Sequence, residues 1–160
     1  MILGIDPGVN GGFGLIDAAG NFLMCGDMQT YLSLDAVLPW QIQTAFIEKQ
    51  WESGRDTGDG RFHRMGKLLQ NYGEWRGICM AQKIPIIEVA AVTWQNYFKL
   101  KFRKGSGTNR SIKANMVLSL ARLMFPGAPL QFKNRDGWAS GLLIAAWGQA
   151  KAKFEGLRLK

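Results

Sequence analysis

An apolar run, Ile2-Leu3-Gly4-Ile5, opens the chain and stops on a carboxylate, Asp6. A tight Pro7-Gly8 turn follows, and a second apolar run, Phe13 to Ile16, heads back. A third lies beyond the short turn Ala19-Gly20-Asn21. Runs this close together predict strands over 1–6, 12–17 and 21–27, joined as antiparallel neighbours. Residues 32–41, with Leu32, Leu34, Val37, Leu38 and Trp40, predict a short helix or an irregular connection. Thr44 to Glu48 is a fourth apolar strand that ends on a carboxylate, as the first does. Residues 49–61 mix charges with Gly54, Gly58 and Gly60 and predict a mobile loop.

The apolar period then lengthens. Phe62, Met65, Leu68, Leu69, Tyr72, Trp75, Ile78, Cys79 and Ala81 recur at three- and four-residue steps and predict the longest helix, 62–82. Gly66 and Gly73 interrupt it, each at a cost of up to about 1 kcal/mol against alanine. That cost predicts close packing there, against another element or a partner subunit. A fifth strand spans 84–89, and a short helical segment runs from Val92 to Phe98. A basic, glycine-bearing loop covers 99–108, and an amphipathic helix covers 109–125, closed by Pro126-Gly127. The last helix, 136–153, starts at Asp136. Three antiparallel strands followed by strands separated by helices describe an α/β fold. It is a five-stranded mixed sheet flanked by helices on both faces, the ribonuclease H-like plan. No repeat or linker divides the chain, so one domain over 1–160 is expected.

Composition supports a packed core, with 47% apolar residues and no low-complexity tract. No apolar run reaches the length of a membrane span, so no membrane partner is expected. A strand beginning at the first residue leaves no room for a leader, which predicts a cytoplasmic location in a bacterial cell or phage-infected host. A processed protein of an organellar matrix or stroma is the second choice. Cys25 and Cys79 sit in apolar settings and read as reduced, buried thiols. The single histidine, His63, excludes a His-rich zinc site.

Charge changes the picture more. Twenty Lys and Arg against twelve Asp and Glu give a net charge of +8, which points to a polyanionic partner, nucleic acid foremost. The charges cluster. Lys99, Lys101, Arg103, Lys104, Arg110 and Lys113 lie close together, interleaved with Phe98 and Phe102. Six phosphate contacts would give a log–log salt slope of about −5. Lys49, Arg55, Arg61 and Arg64 form a second candidate DNA contact. Most tryptophans read as core or interface; Trp51, at the mouth of a glycine-rich loop, is a candidate for touching bases or sugar.

The acids supply the chemistry. Asp6 closes the first strand, Glu48 the fourth, and Asp136 opens the last helix. If the first and fourth strands are neighbours, Asp6 and Glu48 project side by side, and a helix crossing the sheet brings Asp136 to them. Clustered carboxylates stay ionised together only around a cation. Oxygen ligands without nitrogen or sulfur select Mg²⁺, with Mn²⁺ as substitute. A pair of such ions activates water and stabilises the leaving oxygen in phosphodiester hydrolysis. Each acid also has a plain role open to it: Asp6 as a turn cap, Glu48 as a solvated strand end with Glu52 as rival, and Asp136 as a helix N-cap.

Three segments, Ile-Leu-Gly-Ile-Asp6-Pro-Gly8, Phe-Ile-Glu48-Lys and Arg-Asp136-Gly-Trp-Ala-Ser140-Gly-Leu-Leu-Ile-Ala, resemble the RuvC family of Holliday junction resolvases. The phage-type and organellar branch is the nearest in look. Gly66 and Gly73 resemble paired glycines on the family's long helix, and Ser-Ile-Lys113-Ala resembles its basic helix start. The resemblance implies a homodimer that binds four-way DNA junctions. It also implies paired symmetric nicks using Mg²⁺ held by four carboxylates, two ions per active site. It places Lys113 beside the active site, where a lysine steadies charge on the scissile phosphate. Ser140 departs from the pattern, because the family carries a second acid there. Positions 136 and 140 share one helical face. Three readings stay open for Ser140: an introduced inactivating change, a natural enzyme working through Asp136, or a natural binder that no longer cuts.

Two other classes compete. The Asp6 hairpin also resembles the phosphate loop of actin-like kinases and ATPases, but these need two such domains and a second loop. A non-catalytic junction binder, or another ribonuclease H-like nuclease acting on branched DNA, fits the same acids and charge.

Overall fold

The computed structural model describes residues 1–8, 10–27, 41–50, 61–100, 110–131 and 135–154. The expected 32–41 connection, most of the 49–61 and 99–108 loops and the basic C-terminal tail lie outside the described residues. Within them are the strands β1 (Ile2–Asp6), β2 (Gly12–Ile16), β3 (Phe22–Asp27), β4 (Thr44–Glu48) and β5 (Ile86–Val89). The helices are α1 (Arg61–Ala81), α2 (Ala91–Tyr97), α3 (Arg110–Met124) and α4 (Asp136–Phe154). Each matches an element expected from the apolar pattern.

The strands form one sheet in the order β3-β2-β1-β4-β5. β1 pairs antiparallel with β2 and parallel with β4, and β5 extends the parallel half. This is the five-stranded mixed sheet of the ribonuclease H-like fold. Side chains alternate across it. Leu3, Ile5, Phe13, Leu15, Ala45 and Ile47 face one way and pack on Trp75 and Cys79 of α1. Ile2, Ile16 and Phe46 face the other way, toward a layer built from α2, α3 and α4. β1 is covered on both faces, which is why it reads as a nearly unbroken apolar run.

The seat of α4 fixes the site. A methyl group on Gly4 would strike the Gly141 carbonyl oxygen and the Ala145 nitrogen, and one on Gly14 would strike the Leu142 backbone. One on Gly141 would meet the backbone of Phe13 and Gly14 at 2.6–2.7 Å. Helix and strands touch backbone to backbone, which only residues without a Cβ permit. Gly11 and Gly137 even form an isolated parallel bridge. The first turn of α4 is thereby laid over the ends of β1 and β2.

The glycines of α1 behave differently from expectation. A Cβ at Gly66, Gly73 or Gly77 would meet nothing within 4 Å among the described residues. At 100° per residue, these positions lie opposite Tyr72, Trp75 and Cys79, the face that docks on the sheet. They leave a bare stripe pointing away from the sheet, with no close packing contact among the described residues.

α1 and α2 end alike. Ile84 N–H bonds to Cys79 O at 2.8 Å and Lys83 N–H to Met80 O at 3.0 Å. Leu100 N–H bonds to Gln95 O and Lys99 N–H to Asn96 O, each at 2.9 Å. Both pairs are Schellman closures, and both place a lysine, at φ 56°, where glycine is usual. Cys79 is buried and Cys25 half-buried, both as free thiols. Burial pushes Cys25 up to about 12 and Cys79 up to about 11, so neither is a reactive thiolate. Among the described residues, no helix is long and apolar enough to cross a membrane.

Candidate active site

β1 and β4 are parallel neighbours, with Ile5 opposite Ile47, and each ends on an acid one residue later. Alternation puts both acids on the face covered by α4. A cavity of about 210 Å³ opens there. Asp6 and Glu48 form its floor. Trp94 and Gln95 enter from α2, Lys113, Ala114 and Val117 from α3, and Asp136 and Ser140 from α4. Five separate elements thus deliver polar groups to one space, at the C-terminal ends of adjoining parallel strands.

Burial and the neighbouring charge of Glu48 push the Asp6 carboxyl up to about 7. The Ser140 hydroxyl and the Gly8 backbone N–H beside Asp6 oppose that rise, as does the positive charge of Lys113. Burial pushes Glu48 up as well. It is restrained first by the Trp94 indole, whose Nε1–H donates to Oε2 at 2.8 Å, then by Lys113 and Gln50. Two carboxylates held in one partly dry space, with a lysine facing both, are short of positive charge.

This donor set fits a hard divalent cation: carboxylate oxygens and a hydroxyl, with no nitrogen or sulfur ligand lining the cavity. Asp6 and Glu48 are the pair best placed to hold one. Asp136 lines the same cavity. Among the described residues, no three His, Cys, Asp or Glu side chains stand close enough to hold a single ion. The acids read from sequence therefore meet as a coupled pair with a third on the wall.

The other expected residues divide. Lys113 is in the cavity. Lys99 is exposed in the left-handed turn after α2. Lys49 follows Glu48 and lies 3.8 Å from Glu88 of β5. Lys101, Arg103, Lys104, Arg55, Glu52, Trp40 and Trp51 lie outside the described residues, as do the side chains of Arg61, Arg64 and Arg110. Trp75, Trp94 and Trp147 are buried, as expected. Periodicity missed that Trp94 spends its N–H on Glu48, and it missed Gln95 altogether. Gln95 is only 9% exposed, yet it sits in a seven-residue helix too short to show a polar face turned inward. The carboxylate at the end of β4 was the available signal, since a buried acid needs donors from whatever packs over it.

No protein-family model and no curated protein sequence matches the chain. Solved structures do. A Thermus thermophilus RuvC in complex with a Holliday junction substrate superposes with a TM-score of 0.63 at 14% identity, covering 96% of this chain and 95% of that one. A second Thermus thermophilus RuvC structure gives 0.57 at 13% identity, covering 97% and 96%. The likeness spans nearly the whole of both chains and is one of fold.

Proposed function

We propose that the chain is a Mg²⁺-dependent, structure-selective DNA endonuclease, one domain over 1–160, that binds four-way junctions and nicks two strands symmetrically. The observation that carries this reading is the Asp6–Glu48 pair, half-buried side by side at the ends of parallel strands in a cavity that Lys113 also lines. The net charge of +8 supports a polyanionic substrate, and a fold neighbour is described bound to a Holliday junction.

Asp6 and Glu48 would hold Mg²⁺, or Mn²⁺ in its place, with Asp136 contributing to a second ion from the cavity wall. Bound divalent ions supply activation of water and stabilisation of the leaving oxygen. The chain's own residues do the rest. Trp94 fixes Glu48, Ser140 and the Gly8 N–H ease the charge on Asp6, and Lys113 puts positive charge beside the reacting phosphate. Lys49, Lys99 and the basic segment through Lys113 would track the DNA backbone. The outward glycine stripe of α1 suits close approach of a second copy, and a homodimer would present two sites for paired cuts.

One observation favours a second reading, a junction binder that cuts poorly. Ser140 puts a neutral hydroxyl against Asp6 where the sequence resemblance expects another acid. A labelled four-way junction with Mg²⁺ separates the two, with Asp6→Asn as control. Paired nicks lost in the control support the nuclease. Tight binding without nicks supports the binder. Equal action on linear duplex would assign another ribonuclease H-like activity.

A further inference from the structure

Three side chains outside the cavity meet at the far flank of the first turn of α4. The Trp138 Nε1–H donates to Asp27 Oδ1 at 2.5 Å. The Arg135 guanidinium lies 3.4 Å from the Trp138 ring centroid, and its NH1 is 3.8 Å from Asp27 Oδ2. Acid, indole and guanidinium therefore each touch the other two. Asp27 ends β3, and the register sets it opposite Gly12, which in turn is opposite Asp6. Asp6 and Asp27 thus stand on one face of the sheet, either side of a position with no side chain.

The first turn of α4 lies in that gap. A methyl on Gly12 would meet the Trp138 nitrogen at 2.7 Å and the Gly137 carbonyl carbon at 2.8 Å. Glycine contacts allow this closeness, but they give the helix no side-chain stop against rolling about its axis. Residues two apart on a helix point to opposite sides. Trp138 accordingly bonds Asp27 on the outer side, while Ser140 lines the cavity with Asp6. One turn is held on its outer flank by Asp27, while its inner flank lines the cavity with Asp6.

We propose that Asp27 and Trp138 are positioning residues. By holding the outer flank of the turn, they set Asp136 and Ser140 against the Asp6–Glu48 cavity, with Arg135 stacked over the indole to keep it in place. The role in the site rests on the metal-nuclease reading; the clamp itself does not.

The test uses the full chain and three variants. Trp138→Phe keeps an aromatic ring for Arg135 and removes the N–H donor. Asp27→Ala removes the acceptor, and Asp27→Asn keeps an acceptor oxygen. The first readout is amide exchange in metal-free protein at Ala139, whose N–H bonds to Arg135 O at 3.0 Å. The others are Mn²⁺ affinity by calorimetry and the kcat and KM of junction nicking. Trp138→Phe and Asp27→Ala are each expected to speed Ala139 exchange roughly tenfold, weaken Mn²⁺ several-fold and lower kcat with KM little changed. The double variant should lose no more than either alone, and Asp27→Asn should stay near wild type. Protection in the second half of α4 should hold. Wild-type exchange in both single variants, additive losses, or protection lost evenly along α4 would overturn the clamp. A wild-type chain that takes up no Mn²⁺ sinks the nuclease reading, and the exchange readout then decides the clamp by itself.

Discussion

Ser140 of the last helix and Asp6 of the first strand line the same cavity, and the neutral hydroxyl holds down the rise of the Asp6 carboxyl. A hydroxyl there eases the negative charge on Asp6. A carboxylate would add to it and strengthen the demand for a cation. Ser140→Asp is therefore expected to raise Mg²⁺-dependent junction nicking about tenfold or more while lowering the melting temperature in EDTA. Equal nicking rates for the two forms, measured on a labelled junction, would contradict this.

The pH dependence of the metal-free protein follows from Asp6. Its carboxyl is raised from an ordinary 3.8 to about 7, because burial and Glu48 disfavour the charge. Between those values the folded state binds a proton that the unfolded chain releases. The stability this confers is full below about 4 and is lost as pH rises through about 7. Asp6→Asn lacks that dependence. Scanning calorimetry in EDTA should show Asp6→Asn gaining on wild type by several degrees between pH 5 and pH 8, on the order of 2–4 °C per kcal/mol. Mn²⁺ uptake by wild type should release a proton at pH 6 and little at pH 8. A pH-independent difference would mean that Asp6 titrates normally.

The sheet and the acids were legible in sequence for a specific reason. β1, β2 and β4 are short, apolar and bounded by turns or carboxylates, so local pattern and tertiary role agree. Asp6 and Glu48 stand out because an acid at the end of a buried strand is costly without a purpose. Glycine was less legible. Gly4, Gly14 and Gly141 carry the backbone contact between the last helix and the sheet, yet none falls in a turn. Gly66 and Gly73 gave the same signal, yet a Cβ there meets nothing within 4 Å among the described residues. One-dimensional pattern shows that a side chain is missing but not on which side of the element the space lies. Trp138 and Asp27, 111 positions apart in sequence, meet only through register and helix phase.

The two glycine classes should separate cleanly on substitution. At Gly4 the obstructing atoms are backbone and cannot move aside. Gly4→Ala is expected to cost roughly 3 kcal/mol or more, enough to unfold much of the protein at ambient temperature. Gly73→Ala meets nothing within 4 Å among the described residues, so the monomer should gain helix stability of up to about 1 kcal/mol. If the stripe seats a second copy, the same change weakens self-association. Thermal unfolding and sedimentation equilibrium on each variant read both effects. A dimer unaffected by Gly73→Ala would move the interface elsewhere.

Lys83 and Lys99 share one backbone strain but differ in surroundings. Both hold φ at 56°, which costs an L side chain about 1–2 kcal/mol relative to glycine. Replacement by glycine relieves that cost but loosens the unfolded chain. Each of Lys83→Gly and Lys99→Gly should therefore raise the melting temperature by about 2–4 °C. Lys83 precedes β5, at the end of the sheet away from the acids, whereas Lys99 follows the helix that carries Trp94 and Gln95 to the cavity. Only Lys99→Gly should weaken junction binding, with the salt slope reduced by about one. Binding isotherms at several salt concentrations distinguish the pair. Equal slopes in both variants would remove Lys99 from the DNA track while leaving the stability gain intact.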